Sequence, residues 1–336
     1  MIGARHGSRL AVFGALLGTL VSQVGAQESS PKPALPRPAW LDELTPLVAG
    51  PHHAIQPAVA TFKLSWNNVL NAGESFIVAE PKSTLIKGQA AGRSSGLARA
   101  LWPYDFETLT ETEVGTLLPL GFTHEDTERK ERVLYQTGFD RRLGKIVTDT
   151  TFFPIEGKGS PKKSAGETEL TAPETKRRVY EFTEVMDLLS TVLFIRSLEL
   201  KDDDVYRIVV FPMNRPYHVT LQVLGHEPRE IKGERFDTIK FDIQIQKVER
   251  DLTLKSYDKA KKATLWVTDD DYRMPLDLQA NIFVGFISAR STGMDWIAPD
   301  ETAEQAVERV RKVGLKGTAT TSPPPPNPID PPSVRR

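Results

Sequence analysis

Ile239-Lys240-Phe241-Asp242-Ile243-Gln244-Ile245-Gln246 carries an apolar side chain at every odd position and a polar one at every even position. Side chains along a strand point alternately to opposite faces, so a period of two describes a half-buried strand and not a helical stripe of period 3.6. Upstream of it, Val219, Leu221 and Val223 alternate in the same way with His218, Thr220 and Gln222, and Val133, Tyr135 and Phe139 do so more weakly. Downstream, the pattern returns in Ala263, Leu265 and Val267 and again in Met274, Leu276, Leu278, Ala280 and Ile282. Turn-forming runs such as Met213-Asn214-Arg215-Pro216 and Thr268-Asp269-Asp270-Asp271 join these segments, which implies antiparallel hairpins. No strand–helix–strand rhythm is visible, and a parallel α/β sheet is disfavoured. The chain therefore reads as mainly β, an antiparallel curved sheet or barrel-like domain, a shape that limits exposed strand edges.

Two segments depart from that period. Residues 188–198 (LLSTVLFIRSL) are apolar on almost every face, with Asp187 placed to cap them, and a helix apolar all round is a buried one. One buried helix is expected at about 187–198, against or inside the sheet. Near the C-terminus, Ala303, Ala306, Val307, Val310 and Val313 form one helical stripe, which predicts an amphipathic helix at 301–313 with Asp300 as its N-cap. Residues 157–178, polar and rich in lysine, read as a loop inserted before the buried helix.

The ends of the chain give an address. Arg5, His6 and Arg9 precede an apolar run at residues 10–21, and Val24-Gly25-Ala26 then presents small residues for cleavage before Gln27, the pattern of a secretory signal peptide. The apolar run is well short of the ~20 residues a helix needs to cross a bilayer, so the mature chain is expected free of membrane spans, in the periplasm or another extracytoplasmic space. Residues 27–58 form a proline-rich linker, within which residues 40–48 suit one or two helical turns. The folded domain is expected over 59–295, the C-terminal helix within 296–316, and a disordered proline-rich tail over 317–336.

Composition narrows the chemistry. Lysine and arginine number 43 against 44 aspartates and glutamates, and the signal segment removes two arginines and no acid, so no basic footprint for nucleic acid remains. Cysteine is absent, which excludes disulfides, thiol nucleophiles and cysteine-ligated metals.

The ordered landmarks also carry a family likeness. Trp66 with Asn71-Ala72-Gly73, Leu101-Trp102-Pro103-Tyr104-Asp105 and Leu117-Leu118-Pro119 resemble the opening of the bacterial family called domain of unknown function 3108. The run from Val185-Met186-Asp187-Leu188-Leu189-Ser190 to Phe194-Ile195-Arg196 is similar to that family's Asp-led helix ending in Arg. Gly233-Glu234-Arg235-Phe236-Asp237-Thr238 and Leu265-Trp266-Val267-Thr268-Asp269-Asp270, with Arg273-Met274-Pro275 and Gly285-Phe286-Ile287 after them, resemble its later strands. The likeness spans residues 60–290 in order; the length of the 157–178 loop and the proline tail depart from it. It implies a secreted protein with an antiparallel barrel-like fold, and it supplies no catalytic residue.

Catalytic and metal motifs are sparse. Gly92-Arg93-Ser94-Ser95-Gly96 matches the G-x-S-x-G nucleophile elbow, but the elbow needs a parallel sheet and a later Asp and His, and the last histidine is His226. His52, His53, His124, His218 and His226 fit no zinc spacing, and the acidic triplets at 202–204 and 269–271 lack the glycine and glutamate of a calcium loop. No metal, cofactor or catalytic residue is assigned, and an enzyme is disfavoured. The remaining candidate is a hydrophobic cavity lined by Trp66, Trp102, Phe194 and Trp266, with Arg196 as one cation: an acyl chain would lie in the barrel and an anionic head group at the guanidinium. Binding of an apolar or amphiphilic envelope component is the leading expectation. An interaction or scaffolding module of the envelope with a filled core, recruiting a protein partner, is the alternative; a hydrolase using Ser94 is the least favoured.

Overall fold

The computed structural model describes residues 37–52, 54–128, 131–154, 172–182, 184–257, 262–270, 273–281 and 285–315. The signal segment, the proline tail and His53 lie outside the described residues. Fifteen strands form a single antiparallel sheet: β1 (Ala58–Trp66), β2 (Leu70–Lys82), β3 (Leu85–Ser94), β4 (Tyr104–Glu113), β5 (Pro119–Glu128), β6 (Glu131–Asp140), β7 (Lys145–Pro154), β8 (Glu174–Tyr180), β9 (Val205–Val210), β10 (Tyr217–Ile231), β11 (Glu234–Val248), β12 (Leu254–Ser256), β13 (Lys262–Thr268), β14 (Pro275–Asn281) and β15 (Phe286–Trp296). Their spatial order is β8-β7-β6-β5-β4-β3-β2-β1-β15-β14-β13-β11-β10-β9, with β12 attached to β11. The helices are α1 (Gly96–Leu101), α2 (Leu188–Ser197) and α3 (Ala303–Val313).

Local chemistry sets the hairpins. Asn67 and Asn68 both have positive φ, 49° and 56°, and form the centre of a turn closed by the Val69 amide on Trp66 O at 3.0 Å, in the three-residue loop between β1 and β2. Their side chains then tie this turn to β15: Asn67 Oδ1 accepts from the Phe286 amide at 2.8 Å and Asn68 Oδ1 from Ser288 Oγ at 2.6 Å. Lys232 and Gly233 make the same kind of turn between β10 and β11, with φ of 55° and 83°. Bulges break the register of β1 against β15 and of β10 against β11, and bulges bend and twist strands, so the sheet curls.

The curl wraps around α2. Phe194, Ile195 and Leu198 pack with β9, β10, β11, β13 and β14 through Ile208, Leu221, Phe241, Val267 and Ala280. Leu193 packs on the other arm of the sheet, with Ala79 of β2 and Ile86 of β3. The buried helix expected at 187–198 is thus found at 188–197 with Asp187 as its cap, between the two arms.

The barrel does not close. β8 and β9 end the sheet without pairing with each other. Other chain segments cover the outer edge of β9: Thr45 N donates to Arg207 O at 2.8 Å, and Met186 bridges Val210 in parallel, its amide bonded to Val209 O at 2.9 Å. Covering an edge with irregular chain satisfies its backbone groups as a closed ladder would.

α3 lies against β1, β2 and β15, where Ala306, Val307 and Val310 meet Val59, Val78 and Ile297. Its start differs from expectation: Thr302, not Asp300, is the N-cap. Thr302 has extended backbone and forms a reciprocal capping box with Gln305, while the Glu301 carboxylate is taken by Arg309 at 2.8 Å. Two other expectations are corrected. Residues 174–178 of the expected loop belong to β8, where they complete the ladder against β7; residues 157–171 of that loop lie outside the described residues. Residues 40–48 contain only the end of one 3-10 turn, Ala39–Leu41, because Thr45 is pulled into extended contact with β9.

Candidate functional site

The residues expected to line one cavity are dispersed. Phe194 is fully buried in the packing of α2. Arg196 is buried at the C-terminal end of the same helix, where burial pushes its pKa down to about 10 and the Asp270 charge opposes that shift. It borders a space of about 20 Å³, room for roughly one water, beside Phe62, Leu193 and Met274. Trp266 is on the opposite face of β13 from Leu265 and Val267, which join the α2 core. Its indole lies under the Arg229 guanidinium, 3.7 Å from ring centroid to carbon, and donates to Glu227 Oε1 at 2.7 Å. Arg229 and Arg290 share the buried Asp277 carboxylate beside it, Arg290 at 3.2 Å. Trp66 ends β1 at the asparagine turn, and Trp102 follows α1.

Ser94 is no elbow. It ends β3, whose neighbours β2 and β4 are both antiparallel, and its hydroxyl accepts the Tyr104 amide at 3.0 Å. Among the described residues no group of histidines and acids is arranged to hold a metal. His226 instead pairs with Asp269 at 2.7 Å and Asp202 at 3.3 Å across two turns.

The concave face is chemically divided. Where α2 meets β9–β14 it is apolar; on β4–β7 buried threonine hydroxyls stand among apolar side chains such as Phe122, Phe139 and Ile146. The Asp187 carboxylate joins the two. Oδ1 accepts the amides of Leu189 and Ser190 at 2.8 and 3.0 Å, and Oδ2 accepts Thr110 Oγ1 at 2.7 Å and Ser190 Oγ at 2.6 Å. Ser190 Oγ also meets Thr112 Oγ1 at 2.7 Å. Burial raises the Asp187 pKa, and these hydrogen bonds hold the rise in check.

One row of this face runs across five strands in register: Thr108, His124, Tyr135, Thr150 and Lys176. Thr108 Oγ1 and His124 Nδ1 are 2.7 Å apart, and the imidazole lies between the rings of Phe106 and Tyr135, at 6.1 and 5.8 Å. His124 Nε2 is buried without a hydrogen bond, 3.7 Å from Asp126 Oδ2. A hydroxyl, an imidazole and a carboxylate in series suggest acyl-transfer chemistry, but 3.7 Å is too long for the orienting hydrogen bond and Thr108 is buried. Burial and the charge of Asp126 raise the Tyr135 pKa, so its phenol stays a neutral donor. The sequence reading missed this row, whose only signal was His124 between alternating threonines on β4 and β6–β7.

Comparison with known proteins gives the family without an activity. The family described as protein of unknown function (DUF3108) matches residues 61–292. The chain belongs to this family. No curated protein matches the sequence. Among crystal structures, this family member is similar to a β-barrel-like protein of domain of unknown function DUF1849 from Brucella abortus, at 10% identity and a TM-score of 0.45, over 72% of this chain and 98% of that one. It is also similar to a predicted exported protein with a YmcC-like fold from Bacteroides fragilis, at 5% identity and a TM-score of 0.31, over 74% and 99%. No helix among the described residues is long and apolar enough to cross a membrane.

Proposed function

We propose that the protein is a non-enzymatic, extracytoplasmic interaction module that works through its surface and not through a cavity. The observation that carries this reading is the position of α2: its side chains fill the space between the two arms of the sheet, and the gap beside Arg196 holds about 20 Å³. A lipid or drug-sized ligand needs roughly 300 Å³ or more. The signal-like segment at residues 1–26 supports the address, and α3 with the tail at 317–336 offers a place to recruit an envelope protein.

Amphiphile binding is the second reading, favoured by the buried Arg196 guanidinium at the edge of the gap. It requires α2 to move aside, with an acyl chain replacing Phe194 and a head group meeting Arg196. Solvent extraction of the processed protein, recovered without detergent, followed by mass spectrometry separates the two. An extract matching that of an unrelated secreted protein is expected; a stoichiometric amphiphile would overturn the filled-core reading. Deleting residues 317–336 should then thin the set of co-purifying envelope proteins, and an unchanged set removes the tail's role.

A further inference from the structure

Residues 27–58 read as a linker in the sequence, yet residues 39–52 form a strap across the seam where the sheet stays open. Trp40 packs against Phe182, just past β8, at 6.2 Å between ring centroids, and against His218 of β10 at 5.3 Å. Its Nε1 donates to Leu252 O, in the turn after β11, at 2.9 Å. Leu44 joins the cluster of Phe122, Phe139 and Phe211, and Leu47 joins the core around α2. Hydrogen bonds then fix the strap. The Thr45 amide donates to Arg207 O on β9 at 2.8 Å, and Thr45 Oγ1 accepts the Arg207 amide at 2.9 Å. Ser197, at the end of α2, accepts the Gly50 amide at Oγ and the His52 amide at its carbonyl, both at 3.0 Å.

His218 lies beneath this strap. It is 5% exposed, on the face of β10 opposite Val219 and Leu221, and the Trp40 indole meets its ring edge-on. Neither ring nitrogen makes a hydrogen bond among the described residues. Arg207 of β9 opposes a proton there. Glu43 of the strap, 3.6 Å from Arg207, favours one, and Gln246 of β11 does so too without hydrogen-bond geometry. Burial, ahead of Arg207, holds the pKa below the ordinary 6.5. We propose that residues 39–52 are an acid-released strap over the seam, with His218 as its trigger. A neutral imidazole fits under Trp40, whereas a charged one needs water, and Trp40 is the side chain that stands over it. The lifted state, with the higher pKa, takes up the proton. Strap seating is therefore fullest above 6.5 and weakens as pH falls from there towards the depressed value. Lifting the strap frees the Arg207 amide and carbonyl on the outer edge of β9, and the switch is independent of which partner the surface takes.

Hydrogen exchange of the full chain, with rates normalised to the intrinsic rate at each pH, tests this. Protection of the Thr45, Gly50 and His52 amides is expected to fall at least about threefold from pH 7.5 to pH 5, while the β1–β2 ladder holds its protection. His218→Phe keeps a ring under Trp40 and takes up no proton. Its strap should stay protected at pH 5, with an unfolding midpoint at pH 7.5 near the parent's. Should phenylalanine not be accommodated, Trp40→Ala changes the strap alone, and it should show low strap protection already at pH 7.5 with little further fall. Strap protection that does not change with pH in the parent, or that falls equally in the β1–β2 ladder, overturns the proposal. So does an undiminished fall in either variant.

Discussion

Replacing Asp187 by alanine tests whether α2 is seated as described, because this one carboxylate joins the helix to the hydroxyl-lined arm of the sheet. It caps two amides, Leu189 and Ser190, and an N-cap of this kind contributes about 1 kcal/mol. It also accepts two hydroxyls, but neither is stranded by its loss: Ser190 Oγ keeps Thr112 at 2.7 Å, and Thr110 Oγ1 has Gly121 O at 3.3 Å. Those two exchanges together cost about 1 kcal/mol, so Asp187→Ala should lose about 2 kcal/mol, less whatever is regained by not burying a charge. Urea unfolding followed by tryptophan fluorescence at pH 7 measures it. Asp187→Asn keeps an oxygen for both amides and should lose about half as much. The pH dependence fixes the sign independently. Because burial raises the Asp187 pKa in the fold, the ionised carboxylate costs stability above that raised value, and the cost vanishes as pH falls below the ordinary 3.8. Wild type should therefore gain on Asp187→Asn as pH falls from 7 towards 4. An Asp187→Ala midpoint equal to wild type, or a gap to Asp187→Asn that shrinks on acidification, would refute the reasoning.

Phe194→Ala should cost about 3–5 kcal/mol in the same assay, since the ring is fully buried between strands that cannot readily collapse onto it; a loss below about 1 kcal/mol would mean that α2 is not packed there. At the other helix, hydrogen bonds from Arg309 lower the Glu301 pKa, so the stability they contribute is present above the ordinary 4.5 and is lost as pH falls through the depressed value. Arg309 is about a third exposed and solvent screens the pair, which leaves roughly 1 kcal/mol. Urea midpoints at pH 7 and pH 3 should differ less in Glu301→Gln than in wild type, and equal pH dependence in the two would remove this contribution.

The fold was legible because most of its evidence is local. Alternation at 239–246 and 218–223 marks β11 and β10, and an aspartate before an all-apolar run marks α2 with its cap. Where elements compete for one residue, local evidence misled: Asp300 and Thr302 both suit an N-cap, and the choice fell to Thr302 because Gln305 completes its capping box. The basic run 174–178 looked like loop because its polar residues suit solvent, yet an edge strand is where lysine and arginine are expected. Trp266 lies on the face opposite the α2 core because Leu265 and Val267 face that core and side chains alternate with period two along β13.

The hydroxyl-lined arm was illegible for a different reason, and that reason bears on function. On β4 the buried positions are Tyr104, Thr108, Thr110 and Thr112, while Leu109 between two of the threonines is nearly half exposed. A hydropathy pattern assigns such a strand its faces the wrong way round. Threonines are admissible inside because they have partners: Asp187 and Ser190 from α2 for two of them, His124 for the third, and Thr137 with Thr148 for each other at 2.9 Å. Those partners account for Thr108, Thr110, Thr112, Thr137 and Thr148, which lie in adjacent register rows of this arm. A search for aromatic side chains around a cavity leads to the arm that α2 has filled.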